Sequence, residues 1–275
     1  MSIQNRTIVV DGLTTHFLEA GHGDPVVLLH GGEFGVSAEI GWERIIPLLA
    51  QHYRVLAPDM LGFGDSAKVV DFTDGRGLRI RHIARFCALL GIDSSHFVGN
   101  SMGAINLLVD LTSGAPVLPV RSAVTICGGG EIQKNRHASA LYEYDASYEA
   151  MRAIVEALFF NPSYPSDENY VRRRYESSIV RGAWESLAAA RFRRPGVEAP
   201  PTPSSKRAYE RIDVPVLVVE GAGDKLLAPG WAAEIAGQIS GGRSAVVDDA
   251  GHCPQIEQPE ALADVLLKFF AEVTV

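Results

Sequence analysis

A serine between two alternating glycines is the feature of this sequence that could carry out covalent chemistry. Gly99, Ser101 and Gly103 form a G-x-S-x-G pattern between an apolar run at residues 95–98 and a helix-favouring run that continues to residue 109. This order predicts a strand, a tight turn and a helix, with the serine hydroxyl held clear of the sheet as a nucleophile. The alternative is an ordinary strand-to-helix turn, because glycine and serine are common in turns.

A nucleophilic serine needs a base, and the base needs an acid that orients it. Among eight histidines, His252 is the best candidate for the base because it follows the last predicted strand. Asp224 lies just beyond the apolar run at residues 216–219 and is our predicted acid. Asp248 and Asp249 are rival acids, but they stand too close to His252 along the chain to reach its ring from behind.

Acyl transfer also requires two backbone N–H groups that stabilise an oxyanion. The residue after the nucleophile, Met102, is predicted to supply one of them. The second is expected from the loop after His30, either at Gly32 or at Glu33. His30 itself is expected to support this loop and not to transfer protons.

Apolar strands that alternate with helical patterns surround these residues and predict a parallel sheet covered by helices on both faces. A hairpin around Asp11-Gly12 is predicted to precede it. The predicted strands lie at residues 6–10, 14–19, 25–29, 53–59, 95–98, 120–127, 214–219 and 244–247. The predicted helices lie at residues 42–52, 78–90, 102–109, 146–160, 168–190, 231–239 and 259–273.

The pattern of buried strands stops between residues 131 and 209, where the sequence becomes charged, rich in tyrosine and helical in pattern. We interpret residues 131–209 as an inserted helical cap, with a Pro- and Ser-rich loop at residues 195–205. Residues 1–130 and 210–275 would then form the core. The cap is expected to cover the carboxyl ends of the strands, where functional groups of such sheets lie.

Composition narrows the classes of partner and compartment. The 275 residues carry a net charge of -8, which argues against nucleic acid as a partner. Three cysteines suggest no disulfide framework, and we find neither a signal peptide nor a membrane-spanning run. We expect a cytoplasmic, homo-oligomeric (dimeric) protein that acts on a small molecule. No metal cluster, P-loop or dinucleotide fingerprint is apparent, so no cofactor is expected.

Taken together, these residues resemble the α/β-hydrolase superfamily over essentially the whole chain. The elbow Gly99-Asn100-Ser101-Met102-Gly103 is similar to that of the meta-cleavage product hydrolases, and so are the run at residues 171–176 and the pair Gly223-Asp224. The resemblance implies an α/β-hydrolase fold and the cofactor-free hydrolysis of a carbon–carbon bond in a 2-hydroxy-6-oxodienoate made by aromatic ring fission.

The resemblance also implies which residues bind the substrate. In that family an arginine that precedes an aromatic residue contacts the dienoate, and Arg174, followed by Tyr175, is the matching position. Without the resemblance, a run of arginines on a helix is usually a solvated face. The remaining substrate-binding candidates are Asn100, Phe34 and Cys253.

The sequence departs from this family at two places near the predicted site. Cys253 stands where the family usually has tryptophan, and it is expected to be a small apolar filler and not a nucleophile. The loop Glu33-Phe34-Gly35 replaces a run similar to Gly-Pro-Gly. Three alternatives therefore stay open: an esterase, lactonase or thioesterase with the same triad, a small-molecule receptor, and a cofactor-free oxygenase that needs His and Asp but not Ser.

Overall fold

A single eight-stranded sheet organises the fold in the computed structural model, which describes residues 2–189, 192 and 207–273. The strands are β1 (Gln4–Val10), β2 (Leu13–Ala20), β3 (Pro25–Leu29), β4 (Arg54–Pro58), β5 (Ser95–Asn100), β6 (Val120–Ile126), β7 (Val216–Gly221) and β8 (Arg243–Val247). Their order across the sheet is β1-β2-β4-β3-β5-β6-β7-β8. The first two pairings, β1 with β2 and β2 with β4, are antiparallel, and all the others are parallel. The predicted mostly parallel sheet is thereby confirmed.

The local sequence explains these strands. Asp11 and Gly12 connect β1 to β2 with φ angles of 49° and 82°, the left-handed pair that a two-residue hairpin turn requires. Every residue of β5 and of β7 is buried, as expected for central parallel strands covered on both faces.

Helices cover both faces of the sheet, as predicted. They are α1 (Ala38–Trp42), α2 (Ile46–Leu49), α3 (Gly75–Leu89), α4 (Met102–Leu111), α5 (Arg136–Tyr142), α6 (Tyr148–Leu158), α7 (Ser163–Ser166), α8 (Glu168–Ser178), α9 (Ala183–Ala188), α10 (Trp231–Ala236), α11 (Pro254–Glu257) and α12 (Pro259–Val273). On one face, Phe270 of α12 packs in a cluster with Val98 of β5. On the other face, Phe86 of α3 packs in a cluster with Phe97. The alternating side chains of one strand therefore contribute to two separate cores.

Two predicted helices were wrong because local residues interrupt them. The helix predicted at residues 42–52 is two short helices, α1 and α2. The first begins earlier because the Ser37 hydroxyl caps it. The second begins at Ile46, and the next residue, Pro47, has no N–H for the hydrogen bond that a continuous helix would require. The helix predicted at residues 168–190 is α8 followed by α9. Gly182, with φ of 84°, separates them. The loop predicted at residues 195–205 lies outside the described residues.

Helices α5 to α9 lie between β6 and β7 and contribute no strand to the sheet. This helical insertion contacts the loops that leave the carboxyl ends of the strands. The Leu158 carbonyl at the end of α6 accepts a hydrogen bond of 2.7 Å from the His252 N–H, in the loop after β8. Arg174 of α8 forms an ion pair with Glu33, in the loop after β3. The division into a core and a cap stays a prediction.

Candidate active site

Ser101 lies on a strained turn between β5 and α4. Its φ of 49° and ψ of -112° lie outside the regions that side-chain-bearing residues favour. Flanking hydrogen bonds hold this conformation, because the Ser101 N–H donates to Ile126 O at 2.8 Å and Ile105 N–H donates to Ser101 O at 2.9 Å. A side chain at Gly103 would meet the carbonyl oxygen of Leu29 at 2.2 Å, so only glycine allows the helix to pass so close to the sheet. The predicted strand–turn–helix is confirmed.

His252 and Asp224 are joined by a buried hydrogen bond. The His252 Nδ1 atom lies 2.8 Å from Asp224 Oδ2, and the two side chains are only 4% and 2% exposed. The second carboxylate oxygen of Asp224 accepts the Leu226 N–H at 2.8 Å, which fixes the carboxyl plane. The rival acids Asp248 and Asp249 are both exposed residues. The geometry therefore pairs His252 with the acid that chain order suggested.

This pairing changes the protonation of both groups. Burial alone would lower the pKa of the His252 imidazole, but the negative charge of Asp224 and the hydrogen bond between them raise that pKa above its ordinary value of 6.5. Burial likewise opposes ionisation of Asp224, yet the charge and the hydrogen bond of His252 hold the pKa of this carboxyl below its ordinary value. A basic imidazole oriented by a carboxylate can accept a proton from a hydroxyl group.

Asn100 and Cys127 connect the serine turn to the histidine loop. The Asn100 Nδ2 atom donates to the His252 carbonyl at 3.0 Å and lies 3.3 Å from the Ile126 carbonyl. This residue, predicted to bind the substrate, therefore links the backbone after β6 to the backbone of the histidine loop. Cys127 was not among the predicted site residues; it is buried with φ of 47°, and its thiol donates to the Gly251 carbonyl at 3.7 Å. The three glycines that follow Cys127 could have pointed to it, because they indicate that the chain leaves the strand in an irregular conformation.

The Cys127 thiol, the Asp224 carboxylate and the His252 imidazole each place one potential ligand atom within 4.8 Å of the others. Among the described residues, this is the one group of three or more such side chains that could hold a metal ion. The hydrogen bond of 2.8 Å between His252 and Asp224 already engages two members of this group with each other.

Gly32 and Met102, the residues predicted to supply the oxyanion donors, pack against each other. A Cβ atom added to Gly32 would meet the Met102 side chain at 2.7 Å, so the loop after β3 packs directly against the start of α4. His30 supports this loop, because its Nδ1 atom lies 2.7 Å from the Gly31 carbonyl and its Nε2 atom accepts the Met60 N–H at 3.0 Å. Burial lowers the pKa of His30, consistent with a neutral structural imidazole.

Arg174 is fully buried and forms a polar cluster with residues of this loop. Its Nη2 atom lies 3.2 Å from Glu33 Oε1 and donates to the Phe34 carbonyl at 3.3 Å. Its Nη1 atom donates to the Tyr170 hydroxyl at 3.4 Å. Tyr170 was not among the predicted site residues, although its spacing of four residues from Arg174 puts both side chains on one helix face. Arg174 is therefore not part of a solvated face, whereas the neighbouring Arg172 and Arg173 are exposed.

The other substrate-binding candidates are placed differently. The Phe34 ring is buried against Tyr144, with ring centroids 4.6 Å apart. Tyr175 is half-buried, and its ring packs edge-on against Tyr148 of α6 at 5.4 Å. Cys253 is buried where the chain enters α11, and the negative charge of Glu33, after the larger effect of burial, raises the pKa of its thiol. Cys253 is thus close enough to Glu33 for the carboxylate charge to affect its thiol.

Similarity to known proteins agrees with this arrangement. A model of the alpha/beta hydrolase family matches residues 26–265. The 2-hydroxy-6-oxo-6-(2'-aminophenyl)hexa-2,4-dienoic acid hydrolase of Metapseudomonas resinovorans is 32% identical, over 97% of this chain and 90% of that protein. The 2-hydroxymuconate semialdehyde hydrolase of Pseudomonas sp. strain CF600 is 29% identical, over 97% of this chain and 94% of that protein.

Solved structures show the same relationship. The meta-cleavage product hydrolase of Pseudomonas fluorescens superimposes with a TM-score of 0.84 at 27% identity, covering 97% of each chain. Within the described residues, no helix combines the length and the apolar character that crossing a bilayer requires. From the family match and the extent of these similarities, the chain belongs to the alpha/beta hydrolase family, in which it is similar to the meta-cleavage product hydrolases.

Proposed function

We propose that this chain is a serine hydrolase that cleaves a carbon–carbon bond in a 2-hydroxy-6-oxodienoate, a ring-fission product of aromatic catabolism. The observation that carries the proposal is the 2.8 Å hydrogen bond between Asp224 and His252, formed in the same molecule as the strained turn of Ser101. The two relatives described above, each matching 97% of this chain, carry names of hydrolases of this substrate class.

In the proposed reaction, His252 and Arg174 first assist the dienol in becoming a ketone, which provides an electron sink. His252 then accepts the proton of Ser101 as its oxygen attacks the 6-carbonyl carbon. Asp224 holds the imidazole in the required orientation and stabilises its protonated form. The carbon–carbon bond then breaks, its electron pair passes to the 2-keto group, and His252 returns the Ser101 proton to the resulting dienolate. His252 next accepts a proton from water, whose oxygen attacks the acyl carbon, and returns that proton to Ser101 as the acid is released.

The negative charge that develops on the carbonyl oxygen is proposed to be held by the backbone N–H groups of Met102 and Gly32, with Glu33 as the neighbouring donor. The close packing of Gly32 on Met102 supports this assignment, because both donors must face one oxygen. Helices α5 to α9 are proposed to form the cap over this site. A dimeric state and a cytoplasmic location stay predictions.

A second candidate is the hydrolysis of a neutral ester, lactone or thioester by the same Ser101, His252 and Asp224. One specific observation favours it: the arginine that would bind a substrate carboxylate, Arg174, already contacts the carboxylate of Glu33. A neutral acyl substrate needs no such cation. The same triad serves both reactions, so the two candidates differ in the substrate and not in the nucleophile.

The test is the decay of the yellow colour of 2-hydroxy-6-oxo-6-phenylhexa-2,4-dienoate on addition of the protein. We expect the wild type to bleach it and Ser101→Ala to fold normally but turn over slower by a factor on the order of a thousand or more. Ser113→Ala, at an exposed serine after α4, is the matched control and should keep the wild-type rate.

The outcome separates the candidate functions. Turnover of p-nitrophenyl acetate without bleaching of the dienoate would favour the esterase. Bleaching that survives Ser101→Ala at the wild-type rate would refute the serine mechanism and favour chemistry that uses only His252 and Asp224.

A further inference from the structure

The carboxylate of Glu33 lies buried beside the guanidinium of Arg174. Glu33 Oε1 is 3.2 Å from Arg174 Nη2, and the two side chains are 5% and 0% exposed. The pair joins two distant parts of the chain, since Glu33 is in the loop after β3 and Arg174 is on α8. Gly35 allows the loop after β3 to pass close to α8, because its φ is 76° and an added Cβ would meet the Arg174 carbonyl at 2.1 Å.

The contact leaves part of the hydrogen-bonding capacity of Arg174 unused. Only Nη2 reaches Glu33, and the buried Nε atom has no hydrogen-bond partner among the described residues. A guanidinium can bind a carboxylate through two parallel hydrogen bonds, and a buried donor without a partner is costly. Glu33 therefore contacts Arg174 through one guanidinium nitrogen, a single-point contact that a better-oriented carboxylate could replace.

Replacing Glu33 by another carboxylate at Arg174 would change the balance of charges in the site. The ion pair of Glu33 and Arg174 has no net charge. The negative charge of Glu33 also helps to raise the pKa values of His252 and Cys253, although burial has a larger effect on both side chains and Asp224 has a larger effect on His252. A second carboxylate brought to Arg174 would lie beside Glu33 in a site shielded from water. Like charges in such a site repel each other strongly.

We propose that Glu33 is a specificity-determining residue that competes with the substrate carboxylate for Arg174. A dienoate must displace the Glu33 side chain in order to use Arg174, whereas a neutral acyl substrate meets no such competitor. The inference rests on the proposed function in assigning the site its anionic substrate. It adds that the affinity of the site for any carboxylate is set by Glu33 and not by Arg174 alone.

The experiment measures the binding of benzoate, and of benzamide as its neutral counterpart, by isothermal titration calorimetry. In the wild type we expect benzoate to bind no more tightly than benzamide. In Glu33→Gln, which keeps the shape but removes the charge, benzoate should bind tighter by about tenfold, equivalent to about 1.4 kcal/mol. The affinity of benzamide should change far less.

Glu43→Gln is the matched control, because Glu43 forms an exposed ion pair with Arg173, the residue next to Arg174. This control should leave both affinities unchanged. Benzoate binding that is unchanged or weaker in Glu33→Gln would overturn the proposal. If that variant does not fold, the wild type decides: benzoate binding at least tenfold tighter than benzamide would show that Glu33 does not compete, and equal or weaker binding would support the competition.

Steady-state kinetics of the same variants test whether the change in carboxylate binding also changes substrate preference. The ratio of kcat/KM for the dienoate to kcat/KM for p-nitrophenyl acetate should rise by a factor on the order of ten in Glu33→Gln. A wild type that turns over no dienoate would refute the proposed function, while the benzoate titration would still decide the role of Glu33.

Discussion

At the scale of single residues, the location of a carboxylate in the fold decides whether it can orient His252. Its distance from His252 along the sequence matters less. Asp224 is 28 positions from His252 and contacts its ring, whereas Asp248 and Asp249 are closer in sequence but exposed. A residue that follows a strand at one end of the sheet can reach a residue that follows the neighbouring strand. Residues in the same short loop cannot approach the ring from behind.

We expect Asp224→Asn to lower kcat by a factor on the order of a thousand or more, because an amide does not stabilise the protonated imidazole or hold its tautomer. Asp248→Asn and Asp249→Asn are matched controls and should stay close to the wild-type rate. Steady-state assays on the dienoate or on p-nitrophenyl acetate provide the measurement. A severe loss in Asp248→Asn would show that the acid is misassigned.

The same pair predicts the pH dependence of catalysis. His252 must be neutral to accept a proton, and its pKa is raised above 6.5, so kcat/KM should fall as the pH drops through a value above 6.5. Residual activity of Asp224→Asn should show this acid limb at lower pH, since the charge that raises the pKa is gone. An acid limb below 6.5 in the wild type would contradict the assigned pair.

At the scale of elements, Glu257 at the end of α11 joins the helical insertion to the histidine loop. Its carboxylate accepts hydrogen bonds from the N–H groups of Gly251 at 2.6 Å, Asn161 at 2.8 Å and Phe160 at 3.2 Å. Two of these donors follow α6, and the third directly precedes His252. One side chain therefore fixes the insertion relative to a residue of the candidate active site.

Glu257→Gln should destabilise the protein by about 2 kcal/mol, because an amide has one acceptor oxygen for three backbone donors and turns an N–H group toward the others. We also expect a lower kcat, since the loop that carries His252 loses its anchor. Thermal or denaturant unfolding and steady-state assays measure the two effects. Glu260→Gln, at an exposed neighbour, is the control, and equal stability of both variants would disprove the anchoring role.

At the scale of the whole molecule, Asp59 connects the antiparallel edge of the sheet to the loops around the site. Its buried carboxylate lies 2.7 Å from His16 Nδ1 on β2 and accepts the Ala38 N–H of α1 at 2.6 Å and the Asp65 N–H at 2.9 Å. Burial opposes ionisation, but the hydrogen bonds from His16 and from the Ala38 and Asp65 N–H groups lower the pKa of Asp59 below its ordinary value.

Asp59→Asn should reduce the free energy of unfolding at pH 7 by about 3 kcal/mol, because it leaves buried partners without their carboxylate. The pKa of Asp59 is depressed in the folded state, so its contribution is present above the unfolded-state pKa and is lost as the pH falls through the folded-state pKa. The difference between wild type and variant should shrink in acid. Denaturant unfolding at several pH values, with exposed Asp65→Asn as control, tests this.

Local patterns of the sequence determined the fold class, the strand–turn–helix around Ser101 and the order of Ser101, Asp224 and His252. These features follow from hydrophobic periodicity and from turn residues, which act over a few neighbouring positions. Helix ends were less accessible to this reasoning: Pro47 and Gly182 break two runs whose apolar pattern continues across them.

Only the tertiary structure decided which distant side chains meet. Glu33 and Arg174 are 141 positions apart, and no local pattern reports that the loop after β3 places a carboxylate against α8. The thiol of Cys127 lies within 4.8 Å of the Asp224 carboxylate for the same reason, since the crossovers of a parallel sheet bring separate strand ends together. The sequence therefore determined which residues could react, and packing determined which charges surround them.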